Sequence, residues 1–167
     1  TRSAIPYRII GGLRFYERKE IKDAIAYLSV IHNPADSLRL TRIINEPKRG
    51  IGEATIANAA SIAESLGLSL FEVLRTADEY QPLSRKALSL IEFSRLIDSL
   101  SQDAAEGMPL DLLFESVLER SGYLAALQAQ GDAEQTRIEN LEELKSNIQH
   151  YMQENEDATL SGFLEEI

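Results

Sequence analysis

The 167-residue sequence contains no cysteine, and its two histidines, His32 and His150, lie far apart along it. A chain without cysteine has neither a disulfide framework nor a thiolate metal site, and no redox chemistry is expected of it. Neither histidine has a second histidine at helical spacing, so a histidine-based metal motif is not expected. His32 stands next to a helix end and is interpreted as a C-terminal cap.

Long apolar runs and a nucleotide-binding loop are missing as well. The apolar runs are far shorter than the roughly 18 residues that a membrane-spanning helix requires, and the first residues do not form a signal peptide. No glycine-rich phosphate loop ending in Lys-Ser or Lys-Thr occurs. Acidic pairs such as Glu142-Glu143 lack a partner base and are interpreted as solvated faces. We therefore expect no catalytic residue, cofactor or metal in this chain.

Positive charge is scarce overall but concentrated at one end. The chain has 17 basic and 27 acidic residues and a formal net charge of -10, which by itself argues against a nucleic-acid partner. Residues 1–50, however, hold ten basic and five acidic side chains, a net +5, which leaves -15 for residues 51–167. A basic first third suits contact with a polyanion, although the same charges could form an ordinary solvated surface.

Hydrophobic periodicity predicts one domain with a mainly α fold. Capping boxes at Ser69/Glu72 and Thr136/Glu139 mark two helix starts, and Gly67 marks a helix end. The exception is a short strand at residues 6–10, which needs a sheet outside this sequence because a lone strand cannot satisfy its backbone groups. The predicted helices cover residues 18–32, 34–44, 53–66, 70–74, 83–100, 110–118, 123–129, a long segment after residue 136, and 160–167.

The most informative loop lies between the second and third predicted helices and reads KRGIGEAT. Its two glycines allow a ligand to approach the backbone closely, and the helix that follows directs free N–H groups and the positive end of its dipole toward the same place. The isoleucine between the glycines should point inward and anchor the loop. This design suits a sugar-phosphate backbone, although an ordinary turn with a helix cap has the same pattern. The residues expected to contact DNA here are Lys48, Arg49, Gly50, Ile51, Gly52 and Thr55.

Longer stretches resemble the UvrD/PcrA/Rep-type DNA helicases of superfamily 1. The first is IPYRIIGGLRFYERKEIKD at residues 5–23, followed by NPAD at 33–36, RIIN at 42–45, PKRGIG at 47–52 and TRIENLEEL at 136–144. These stretches occur in the same order as in the family, and together they span nearly the whole chain. One departure is that the family places a helix between a segment resembling Thr1-Arg2-Ser3 and the strand that begins near Ile5, whereas only Ala4 intervenes in this sequence.

The resemblance implies the 2B subdomain of an ATP-dependent 3'-5' DNA helicase that acts in DNA repair or replication in the bacterial cytoplasm. In this interpretation residues 1–16 are the hinge and a strand of motor domain 2A, residues 17–158 are the helical 2B subdomain with a helix-hairpin-helix element, and residues 159–167 begin the return to the motor. ATP and Mg would be bound only by the parent's motor domains. The implied partners are duplex DNA, the fork junction, the motor domains and other repair or replication proteins, with no membrane. Further DNA or motor contacts are expected on the hinge side from Arg14, Arg18 and Lys22.

A second class of function stays open at this point. The acidic, helix-rich remainder of the chain also suits a helical protein-interaction or autoregulatory module that makes no direct contact with DNA.

Overall fold

A computed structural model of the chain describes residues 12–167, and every regular element in that range is helical, as predicted. The predicted strand at residues 6–10 lies outside the described residues. Within them, no helix is both long enough and apolar enough to cross a membrane. The α-helices of this range are α1 (Gly12–Glu17), α2 (Lys19–His32), α3 (Ser37–Ile43), α4 (Glu53–Leu66), α5 (Leu70–Arg75), α6 (Ala87–Ala105), α7 (Leu110–Arg120), α8 (Tyr123–Gln128), α9 (Gln135–Glu154) and α10 (Leu160–Glu166).

Several helix ends follow the local sequence signals. The capping box at Ser69 and Glu72 is present, with each side chain bonded to the other residue's backbone N–H. Gly67 ends α4 with φ of 68°, a left-handed conformation that favours glycine.

Other helix ends differ from the predictions. The second capping box is wrong, because α9 begins at Gln135 and Thr136 already lies inside it. The helix expected at residue 34 begins at Ser37 instead, and Asp36 caps it by accepting a hydrogen bond from the Arg39 N–H. His32 is the last residue of α2, and the C-cap position belongs to Asn33.

The segment before α6 also departs from the prediction of one helix over residues 83–100. Residues Gln81–Lys86 form a 3-10 helix that carries a proline in its first turn, and α6 starts only at Ala87 and runs to Ala105. Two other short 3-10 helices are Ala77–Glu79 and Gly131–Glu134. The Gln81–Lys86 segment packs against α4.

Helix α2 lies at the centre of the packing, in contact with α1, α3, α6, α7, α9 and α10. Its buried apolar residues include Ile21, Tyr27 and Val30, and α6 contributes Phe93 and Ile97 to the same core. Burial of this apolar surface is the main force that holds the helices together.

Two carboxylates of α2, Glu20 and Asp23, are buried within this helical core. Asp23 accepts hydrogen bonds from the Tyr123 hydroxyl at 2.6 Å, from Arg42 Nε at 2.8 Å and from Lys19 Nζ at 2.7 Å. Glu20 accepts from Asn140 Nδ2 at 2.6 Å. These bonds join α2 to α3, α8 and α9, and they compensate the cost of removing the two charges from water.

Burial, together with the hydrogen bond to Asp23, raises the pKa of Tyr123 far above its ordinary value. The phenol therefore stays protonated over the whole physiological range and remains a donor to Asp23.

We expect Tyr123→Phe to lower the free energy of unfolding by about 1–3 kcal/mol, because it leaves a buried carboxylate with one donor fewer. Urea unfolding monitored by circular dichroism measures the change. The matched control is Tyr80→Phe, since the partly buried Tyr80 ring packs on the core and its hydroxyl has no hydrogen-bond partner among residues 12–167. Equal losses in the two variants would show that the bond to Asp23 contributes nothing.

Candidate nucleic-acid interface

The loop that the sequence singles out connects α3 to α4 and occupies residues 44–52. Ile51 is 1% exposed and points into the core, as expected from its place between two glycines. Gly50 and Lys48 are exposed, and Gly50 has φ of 75°, so a side chain at this position would be strained. The loop thus presents glycine backbone and one lysine outward while its isoleucine anchors it from beneath.

Asn45 fixes the shape of this loop. Its Oδ1 accepts hydrogen bonds from the backbone N–H of Arg49 at 2.6 Å and of Ile51 at 3.3 Å. The Glu46–Pro47 peptide bond, which directly follows Asn45, is cis. Sequence inspection did not identify Asn45, although an asparagine just after a helix is a common organiser of turns through its side chain.

Arg49 is turned toward the protein. Its Nη1 donates to the carbonyl oxygens of three loop and helix residues, and its Nη2 donates to the Tyr27 hydroxyl at 2.8 Å and to the Ser121 carbonyl at 3.1 Å. The guanidinium carbon also lies 4.7 Å from the centre of the Phe93 ring. The three carbonyls that Nη1 meets belong to Ile43, Ile44 and Pro47.

These contacts argue for a different role from the one expected of Arg49. A guanidinium whose terminal N–H groups are all engaged by the protein cannot bind a phosphate without breaking those bonds. Tyr27, which also donates its hydroxyl hydrogen to the Glu46 carbonyl, has a pKa raised by burial and stays protonated. Arg49 and Tyr27 together support the loop from behind.

Beyond the loop, the first turn of α4 faces outward. Gly52 is the N-cap, and the first intrahelical bond runs from the Ile56 N–H to the Gly52 carbonyl at 3.2 Å. Helix geometry leaves the N–H groups of the preceding residues without an intrahelical acceptor, and no side chain caps them. Thr55 lies half-buried in this turn and Glu53 is exposed in it. A phosphate could accept hydrogen bonds here, although the Glu53 carboxylate would repel it.

One cation near the loop was missed by the sequence analysis. A Cβ built on Gly50 would lie 3.5 Å from the Nζ atom of Lys86, so this ammonium group stands directly beside the glycine. Lys86 is the last residue of the Gln81–Lys86 3-10 helix, and the expectation of one continuous helix over residues 83–100 concealed its position. Pro82 was the available signal, because a proline commonly occupies the first turn of a helical segment.

The hinge-side candidates form a separate group. Arg14 is exposed on α1, and Lys22 is exposed on α2. Arg18 precedes α2, and its Nη1 donates to Asn140 Oδ1 of α9 at 2.7 Å. No contact in the described part of the chain joins these three side chains to the loop at residues 44–52.

Comparison with known proteins identifies the family. Residues 1–167 match the UvrD-like helicase C-terminal domain, and the chain belongs to that family. It is 36% identical over 167 residues to the ATP-dependent DNA helicase PcrA of Bacillus subtilis, covering 99% of this chain and 22% of that protein. It is 39% identical over 160 residues to the DNA helicase II of Escherichia coli, covering 95% of this chain and 22% of that protein. The chain therefore spans about a fifth of the length of these relatives.

We expect Asn45→Ala to destabilise the loop by about 1–3 kcal/mol, because two inward-facing backbone N–H groups lose their acceptor. Amide hydrogen exchange of Arg49 and Ile51 should accelerate in the variant. Asn58→Ala is the matched control, since Asn58 is exposed on α4 and its side chain makes no hydrogen bond within residues 12–167. Asn45→Asp keeps an acceptor oxygen and should restore protection, and unchanged exchange in Asn45→Ala would contradict the role given to Asn45.

Proposed function

We propose that this chain is the duplex-DNA-binding accessory (2B) subdomain of an ATP-dependent 3'-5' DNA helicase. One observation carries the proposal: the supported, glycine-containing loop leads directly into the uncapped, exposed first turn of α4, in a chain that belongs to a helicase family. In this proposal α3, the loop and α4 form a helix-hairpin-helix element. The element holds the sugar-phosphate backbone of the duplex ahead of the motor.

The chemistry of the loop favours phosphate over bases. Backbone N–H groups and a lysine ammonium can donate to any phosphate oxygen, whereas the glycines have no side chain with which to discriminate bases. Within this element we assign phosphate contact to Lys48, to the backbone of Gly50 and Gly52, and to Thr55. Ile51 and Arg49 act indirectly, because both side chains point into the protein and hold the loop in place. Binding should therefore be insensitive to base sequence.

The remaining parts of the proposal concern the parent protein. The PcrA relative is named an ATP-dependent DNA helicase, and ATP and Mg would bind to motor domains outside this chain. Residues 1–16 and 159–167 would connect the 2B body, residues 17–158, to motor domain 2A. In support, α10 begins at Leu160 and packs against α2, the helix that follows the entering segment. Arg14, Arg18 and Lys22 belong to this hinge side.

The proposed contacts are few, so the affinity of the isolated chain should be low. With roughly two to four neutralised phosphates, the dissociation constant should be about 10^-4 to 10^-6 M, and each phosphate contributes about -0.9 to the slope of log affinity against log salt. Duplex DNA should bind more tightly than single strands of the same sequence, because the loop is assigned to the duplex.

We expect Gly52→Asn to weaken duplex binding about tenfold without loss of stability. Asparagine is a good N-cap whose side chain would accept the N–H bonds that we assign to phosphate, so folding should gain a few tenths of a kcal/mol at most. A hydrogen bond to a charged group contributes about 1.5–3 kcal/mol, which corresponds to tenfold or more in affinity. The new side chain fits, because within residues 12–167 no atom beyond the two neighbouring residues lies within 4 Å of a Cβ built on Gly52.

The matched control is Gly67→Asn at the opposite end of α4. Gly67 also stands in open space, and asparagine tolerates its left-handed conformation. Fluorescence anisotropy with a labelled duplex measures both variants, and thermal unfolding monitors their stability. Unchanged duplex affinity in Gly52→Asn, with the fold intact, would contradict the assignment of the α4 first turn to DNA.

A further inference from the structure

Of the 15 lysine and arginine side chains among residues 12–167, eight are engaged by other groups of the protein through ion pairs or, for one of them, a set of hydrogen bonds. Seven of them lie within ion-pair distance of a carboxylate: Lys19, Arg39, Arg42, Arg75, Arg120, Arg137 and Lys145. Arg49 is occupied by carbonyl oxygens and the Tyr27 hydroxyl. A cation that is paired with a carboxylate contributes little to the external field.

The other seven have no carboxylate partner within residues 12–167, and three of these belong to the loop or to the Gln81–Lys86 segment. Lys48 lies in the loop itself, and Arg85 and Lys86 end the 3-10 helix that packs against α4. All three are exposed. In a protein of net charge -10, an unpaired group of this kind creates a local positive potential suited to an anion.

Lys86 is the member of this group whose position the structure fixes most closely. Its Nζ stands beside Gly50, at 3.5 Å from the place of a Cβ, so the ammonium borders the surface that a phosphate would occupy on this glycine. Lys86 does not belong to the loop itself. It belongs to the Gln81–Lys86 segment, which packs against α4.

We propose that Lys86 is a second phosphate-binding cation of the interface, so that the DNA backbone is held between the loop and the end of the Gln81–Lys86 segment. This inference rests on the proposed function. A purely structural role does not account for Lys86, because its side chain is exposed and makes no hydrogen bond or ion pair within the described residues. The ligand class is a nucleic-acid phosphate, recognised without regard to base.

The test compares three substitutions that each remove one positive charge from the 167-residue chain: Lys86→Gln, Lys48→Gln and Arg95→Gln. Arg95 is the matched control, because it is exposed on α6 and has no carboxylate partner within residues 12–167. By helical rise it lies about 13 Å from Lys86 along the helix axis. Anisotropy titrations with a labelled duplex from about 50 to 200 mM salt give the affinity and its salt dependence.

We expect Lys86→Gln to weaken duplex binding about tenfold at 50 mM salt and to reduce the magnitude of the salt slope by about 0.9, the effect of one lost phosphate contact. Lys48→Gln should behave similarly, Arg95→Gln should match the wild type, and Lys86→Arg should retain most of the slope. Thermal unfolding should be unchanged by each, since all three side chains are exposed.

The titrations distinguish failure of the Lys86 assignment from failure of the proposed function. If Lys86→Gln behaves like Arg95→Gln while Lys48→Gln loses affinity, Lys86 is not a contact and the loop still binds DNA. If the wild type shows no salt-dependent duplex binding, the proposed function itself is overturned and the inference about Lys86 falls with it.

Discussion

The exposed surface of the α3–α4 loop depends on how the carbonyl groups at its base, which face into the protein, are hydrogen-bonded. Carbonyls from the end of α3, from the loop and from Ser121 after α7 converge on the Arg49 guanidinium, and a buried carbonyl is normally hydrogen-bonded. The Arg49 guanidinium supplies these donors from a single planar group and stacks on Phe93 of α6. Arg49 thereby joins the end of α3, α2, α6 and the residue after α7 behind the loop.

This internal arrangement explains why the outer face can consist of glycine and lysine. A loop with two glycines has little intrinsic preference for one conformation, because glycine loses more conformational freedom on folding than other residues. Asn45 and Arg49 replace that missing preference with hydrogen bonds from within, and Ile51 adds buried apolar surface. The outward N–H groups can therefore be held in a fixed geometry without a side chain that would cover them.

The same structure changes the meaning of the charge distribution. The surplus of positive charge in residues 1–50 suggests an extended basic surface, yet several of those cations serve the interior. Lys19 and Arg42 bind the buried Asp23, and Arg49 binds carbonyl groups. A positive charge near the loop comes from Lys86, which lies in the net-negative part of the sequence, residues 51–167. Charge counted along a sequence measures composition, whereas a ligand meets only the cations that the fold leaves unpaired.

Local signals in the sequence determined much of this protein: the helical class, the cap at Ser69, the end of α4 at Gly67, the inward Ile51 and membership of the helicase family. The helix ends and the inward Ile51 depend on residues within one or two helical turns. Family membership depends on sequence stretches that occur in a fixed order. The neighbouring Lys48 and Arg49 looked equivalent, and only the tertiary structure separated them, because the acceptors of Arg49 include Tyr27 and Ser121, 22 and 72 residues away. The place of Lys86 beside Gly50 was decided in the same way, by the packing of a 3-10 segment against α4. Long-range contacts set the direction of a side chain, and sequence periodicity does not record them.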